Sequence, residues 1–144
     1  MHRMPLAILF FATVSRMLDA QGVAAVYVDQ FRALEKQTRQ VATQISESEH
    51  SWKSSREVVV TLHERLGALQ KIAHRLEETA ADEDLKLVRA NRKTDKTLLL
   101  VAQACKAADF TLSALYYYVD TNDRAFLGFA RTGLDLVAAI SKVF

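Results

Sequence analysis

The stretch FRALEKQTRQVATQISESEHSWKSSREVVVTLHERLGALQKIAHRLEETA, residues 31–80, decides the fold. Counting through it by alternating threes and fours meets Phe31, Leu34, Thr38, Val41, Ile45, Ser48, Trp52, Ser55, Val59, Leu62, Leu66, Leu69, Ala73, Leu76 and Ala80. All but Thr38, Ser48 and Ser55 are apolar, and their neighbours Arg32, Glu35, Lys36, Arg39 and Gln40 are charged or amide. That spacing draws one greasy stripe along one side of a helix, the seam that helices bury against each other. The stripe weakens through SESEHSWKSS (46–55), whose serines compete for backbone hydrogen bonds and favour helix ends. Ser54 followed by Glu57 has the spacing of a capping box. The reading is two helices, about 17–46 and 55–80, with a loop between them and Trp52 capping a core. A single unbroken helix with Trp52 in the seam is the alternative.

Working outward, a third helix is expected to start near Asp82 as N-cap. Leu87, Thr94, Leu98, Val101, Cys105, Ala108, Leu112, Leu115 and Val119 follow helical spacing. Asp120-Thr121-Asn122-Asp123 reads as a turn with capping residues, and a last helix carries Phe126, Phe129, Leu136, Val137, Ile140 and Phe144. Short polar turns between helices favour antiparallel neighbours. The expected fold is therefore all-α, an antiparallel up-and-down bundle of about four helices with a long heptad-patterned amphipathic pair. Residues 17–144 would form this single domain, behind an apolar N-terminal segment over 1–16.

Composition agrees. The chain has 144 residues, half of them apolar and a quarter charged, which is enough for one buried core without staples. Four Gly and one Pro are too few for a sandwich of short strands. One Cys excludes an internal disulfide framework. Lys plus Arg is 19 against 17 Asp plus Glu, and a formal charge of +2 does not argue for nucleic acid. Met4 to Val14 is apolar and uncharged, and as a helix would rise about 16 Å, half a bilayer core. It reads three ways: a signal peptide, a mitochondrial-type presequence, or a buried first helix.

Nothing assembles a catalytic set. His2, His50, His63 and His74 form no close pair with one another or with Cys105, so they read as solvated or rim residues and no metal is expected. Cys105 lies on the apolar stripe and reads as a small buried hydrophobe. Gly67 reads either as a close helix approach or kink, or as a tolerated interruption. No glycine-rich phosphate loop is present; no cofactor and no small-molecule substrate are expected.

The informative charges are Lys86, Arg89, Arg92, Lys93 and Lys96, which on one helix would share about a third of the circumference at about 100° per residue. That describes a basic amphipathic helix lying on an anionic membrane surface, or an ordinary solvated bundle face. Leu98 to Val119 and Ala125 to Phe144 are both long and apolar enough for a span to be considered, or for a buried hairpin. Tyr116, Tyr117 and Tyr118 read as an interfacial belt or as packing at a bundle end.

Arg65-Leu66-Gly67, a basic segment, Ala114-Leu115-Tyr116 with Asp120 and Asn122, and Gly133-Leu134 occur in an order that resembles the membrane-elongation peroxin (peroxin eleven) family of peroxisomes and glycosomes, over about residues 60–135. Asp120 and Asn122 are separated by Thr121, where the family has them adjacent. The resemblance implies a non-enzymatic protein that binds and curves an organelle membrane as a homo-oligomer, with Lys86, Arg89, Arg92, Lys93 and Lys96 toward lipid head groups.

The expected function is thus a non-catalytic membrane-associated helical protein. It would act through the basic residues and through helix contacts with itself or a partner made by Phe31, Leu34, Val41, Ile45, Val59, Leu62, Leu66, Leu69 and Leu76. A coiled-coil scaffold is the runner-up. An exported component of a secretion system is third and rests on the N-terminal run.

Overall fold

A computed structural model describes residues 20–92 and 96–144. The N-terminal apolar segment, with its three readings, and Lys93 lie outside the described residues. Among the described residues all regular structure is helical: α1 (Ala20–Glu47), α2 (Glu49–Lys53), α3 (Arg56–Arg89), α4 (Thr97–Thr121) and α5 (Arg124–Ser141). The four long helices make the expected all-α bundle.

Contacts at matching heights set the directions. Tyr27 of α1 lies beside Thr79 of α3, and Arg65 of α3 reaches Gln44 of α1 at 2.8 Å, so the two helices run opposite ways. Gln70 of α3 donates to Ser113 of α4 at 2.7 Å while His63 stacks on Tyr116, ring centroids 4.3 Å apart, which makes that pair antiparallel too. Helix α4 packs on α3, α5 and α1, so it is the central helix. Its position explains its composition: apolar residues around much of its circumference find protein partners. At the edge, α5 is tied back to α1 by Arg32, which donates to Ser141, and by the edge-on rings of Phe31 and Phe144, 5.7 Å apart.

The heptad stripe is the core. Phe31, Leu34, Val41, Ile45, Trp52, Leu62, Leu66, Leu69, Ala73, Leu76 and Ala80 are all buried, as is Thr38, whose hydroxyl donates to the Leu34 carbonyl at 2.8 Å; Val59 is half-buried. The stripe is therefore occupied inside the chain and needs no outside helix. Two helices with Trp52 over the core is the arrangement found.

Three local expectations are corrected. The segment after α1 is not simply a loop, because α2 carries Trp52 inward, its Nε1 donating to the Ile45 carbonyl at 2.9 Å. The N-cap of α3 is Ser55, whose Oγ accepts from the Val58 N–H at 3.3 Å, while the Ser54 hydroxyl turns back to the His50 carbonyl. No capping box forms, since the third helical residue is Val58 and not Glu57. Finally, no helix starts at Asp82. The buried row Leu76, Ala80, Asp84 and Leu87 carries α3 through that point, and continued packing outweighs a capping residue in mid-helix.

Helix α3 ends instead at Asn91, which adopts φ 53°. Arg92 N–H donates to the Leu87 carbonyl at 2.9 Å and Asn91 N–H to that of Val88 at 3.0 Å, a Schellman closure around a left-handed residue. Asn122, φ 59°, ends α4 by the related single bond to the Tyr118 carbonyl at 2.8 Å, and the Asp123 side chain caps α5 through Ala125 N–H at 3.0 Å. The turn expected over 120–123 is thus present.

Candidate functional site

The Asn91 closure relocates the basic residues. Lys86 and Arg89 lie in the last turn of α3, Arg92 in the turn, and Lys96 at the N-cap of α4. The sequence reading put them on one face of one helix; instead these four crown the end of the bundle where α3 turns into α4. All four are exposed, and Lys86 is only loosely held, 3.5 Å from Glu83.

Two of these cations have a local structural use. The C-terminal end of a helix carries partial negative charge, so Lys86 and Arg89 are favoured there by about 0.3–1 kcal/mol each. Lys96 is placed against that preference. It sits at the positive N-terminal end of α4, and its side chain makes no capping hydrogen bond where Ser, Thr or Asp would.

Apolar side chains share this end. Leu85, Val88 and Leu99 are 44%, 57% and 45% exposed. Helix α1 begins at the same end, because Tyr27, near its start, lies beside Thr79 and close to Glu83 and Asp82 in the last part of α3. Burial, with the negative charge of Glu83, raises the Tyr27 hydroxyl to about 12. Further along, a groove between α3 and α4 is lined by Glu77, Glu78, Ala81, Asp82, Leu99 and Gln103. Lys106 reaches Glu77 at 4.0 Å, while Asp109 faces His74 at 3.4 Å.

The three tyrosines lie toward the opposite end. Tyr118 is fully buried, edge-on to Trp52 at 5.7 Å, and its hydroxyl donates to Glu49; Tyr116 covers His63; Tyr117 is exposed. Glu49 also faces Lys53 at 3.4 Å and Arg124 at 3.6 Å, which ties α2, α4 and α5 together. The Tyr118 bond first, then Lys53 and Arg124, hold the Glu49 carboxyl below its ordinary range. The tyrosines pack a bundle end and form no belt beside the cations.

Cys105 is buried, and burial pushes its thiol up to about 12. His63 is half-buried with Nε2 unbonded, and His74 and His50 are exposed. Among the described residues no group of three His, Cys, Asp or Glu is placed to hold a metal. Of the two apolar stretches, α4 is long and apolar enough to cross a membrane by length and composition, and 61% of its most apolar window is buried inside the bundle. Compared with known proteins, the chain matches no family model, no curated protein and no solved structure.

Sequence reasoning identified the cations but not their arrangement. The missed signal was Asn91, a residue that adopts the left-handed conformation more readily than most and so can stop a helix. The exposed Leu85, Val88 and Leu99 were also missed, since each falls just off the buried row.

Proposed function

We propose that this protein is a non-catalytic membrane-surface protein that docks end-on, through the basic crown of Lys86, Arg89, Arg92 and Lys96, with Lys93 in the same stretch of sequence. The observation that carries this reading is Lys96, an exposed cation at the positive end of α4, whose side chain makes no capping hydrogen bond. Leu85, Val88 and Leu99 supply apolar groups among the cations. The uncharged sequence 4–14 precedes α1 along the chain, and the start of α1 lies at this same end. Durable membrane attachment commonly uses two signals, such as an apolar anchor and a polybasic patch. Each cation near an anionic surface contributes about 1 kcal/mol. On the resemblance to membrane-elongation peroxins, the surface is that of a peroxisome or glycosome.

Flotation of the full chain with phosphatidylserine-containing and with purely zwitterionic vesicles tests this. Binding should favour the anionic vesicles, fall with salt, and fall further with Arg92→Glu plus Lys93→Glu. Equal binding to both vesicle types, or none to either, overturns it.

A further inference from the structure

Helix α5 is apolar on two sides and the fold covers only one. At about 100° per residue, Arg124, Arg131, Asp135 and Lys142 fall within roughly 40° of each other, a single charged strip. About a third of a turn away, Leu127, Ala130, Gly133, Val137 and Ser141 are buried against the bundle. The remaining third carries Ala125, Phe129, Thr132, Leu136 and Ala139, continued by Val143 in the turn just past the helix, all exposed, with Phe129 at 52%, Leu136 at 51% and Val143 at 66%.

These six residues follow 4-3-4-3-4 spacing, the repeat of a helix seam, and they alternate small and large. An antiparallel copy of α5 centred beside Leu134 would set Phe129 opposite Ala139, Leu136 opposite Thr132, and Val143 opposite Ala125. Every large side chain then meets a small one, and the two-fold axis repeats each contact. The seam is complementary to itself, and the charges of α5 lie on the strip that flanks it. A lipid surface would require neither the spacing nor the alternation.

The patch continues onto α4. Gly133 brings α4 and α5 together so closely that an added Cβ would collide with the Thr111 hydroxyl and lie 3.1 Å from the Phe110 ring. Phe110 is 49% exposed, and Tyr117 joins the patch through Phe126, ring centroids 5.5 Å apart. Aromatic side chains bury about 150–250 Å² each, so half-exposed Phe110, Tyr117 and Phe129 with Leu136 and Val143 leave roughly 400–500 Å² per copy. A symmetric pair would remove about 800–1,000 Å², the size of a weak, reversible contact at the lower limit for specific association.

We infer that a second copy of this chain docks here, α5 against α5 in antiparallel register. The inference stands apart from the membrane reading, since none of the crown's residues takes part. Sedimentation of the full chain without lipid should show a dimer with micromolar dissociation constant. Phe129→Glu with Leu136→Glu should weaken it at least a hundredfold while helicity by circular dichroism is kept. Phe129→Cys with Ala139→Cys should crosslink between copies on mild oxidation, and Arg131→Cys on the charged strip should not. A chain that stays monomeric, a dimer untouched by the two glutamates, or crosslinking that does not distinguish the seam from the strip overturns the inference. So does vesicle binding abolished by the two glutamates in a chain that never dimerises, which would make lipid the occupant.

Discussion

Trp52 donates its indole N–H to the Ile45 carbonyl at 2.9 Å, so the side chain of one short helix closes the end of the helix before it. The last four carbonyls of a helix have no partner within it, and Ile45 is among the last four of α1. The same ring packs edge-on to Tyr118 of the central helix. Trp52→Ala should cost about 3–5 kcal/mol by loss of volume. Trp52→Phe keeps an aromatic ring and strands the carbonyl, at about 1–3 kcal/mol. Urea denaturation followed by circular dichroism checks both; a Phe variant as stable as the parent would show that the hydrogen bond contributes nothing.

The glycines should respond in opposite ways. A Cβ at Gly67 meets nothing within 4 Å, whereas one at Gly133 runs into Thr111 and the Phe110 ring. Gly67→Ala should stabilise by about 0.5–1 kcal/mol through helix propensity. Gly133→Ala should destabilise by about 1–3 kcal/mol, because α4 and α5 must separate. Thermal melts of the two variants should shift in opposite directions.

Where α3 stops depends on Asn91. Its φ of 53° costs a residue with an ordinary Cβ about 1–2 kcal/mol. Asn91→Gly should therefore be neutral or stabilising and Asn91→Val destabilising. The Val variant should also perturb the arrangement of Arg92 and Lys96, read as weaker binding to anionic vesicles than Asn91→Gly shows.

Stability should decline on the alkaline side. Burial first, then Glu83, raises Tyr27 from 10.0 to about 12; burial first, then Glu77, raises Cys105 from 9.0 to about 12. Both folded-state values exceed the unfolded ones, so the folded chain holds protons that the unfolded chain releases. Their contribution is complete below pH 9 and is lost progressively toward pH 12. Urea midpoints should fall across that range, and Tyr27→Phe should flatten the part above pH 10. Glu49 acts in the other direction: its carboxyl is held low, so its contribution is lost as acid protonates it.

Cys105 should be inert in the folded chain. The thiolate is the reactive form, and burial suppresses it. A thiol reagent at neutral pH should label Cys105 only as fast as the chain unfolds, and in urea at once. Rapid native labelling would contradict its burial.

The row from Phe31 to Ala80 was legible without coordinates, since a period of three and four leaves few other ways to bury those side chains. Asp123 as a cap and the turn after Asp120 were legible for a similar local reason. The five cations were legible as a cluster, but the placement of Lys86, Arg89, Arg92 and Lys96 was not. Asp82 and Asn91 offer competing helix boundaries, and the choice between them depends on whether Leu87 finds a core to enter. The free side of α5 was hidden among apolar residues of equal character: Leu127 and Leu136 differ only in which neighbour reaches them.

By itself, then, the sequence determined that the chain is helical and which stripe of α1 and α3 is buried, because periodicity is a property of the chain alone. Only the tertiary structure decided that the cations crown one end, that α4 lies at the centre, and that one side of α5 is left uncovered. Those outcomes depend on which surfaces meet, and helices of similar composition compete equally for the same partners until packing in three dimensions separates them.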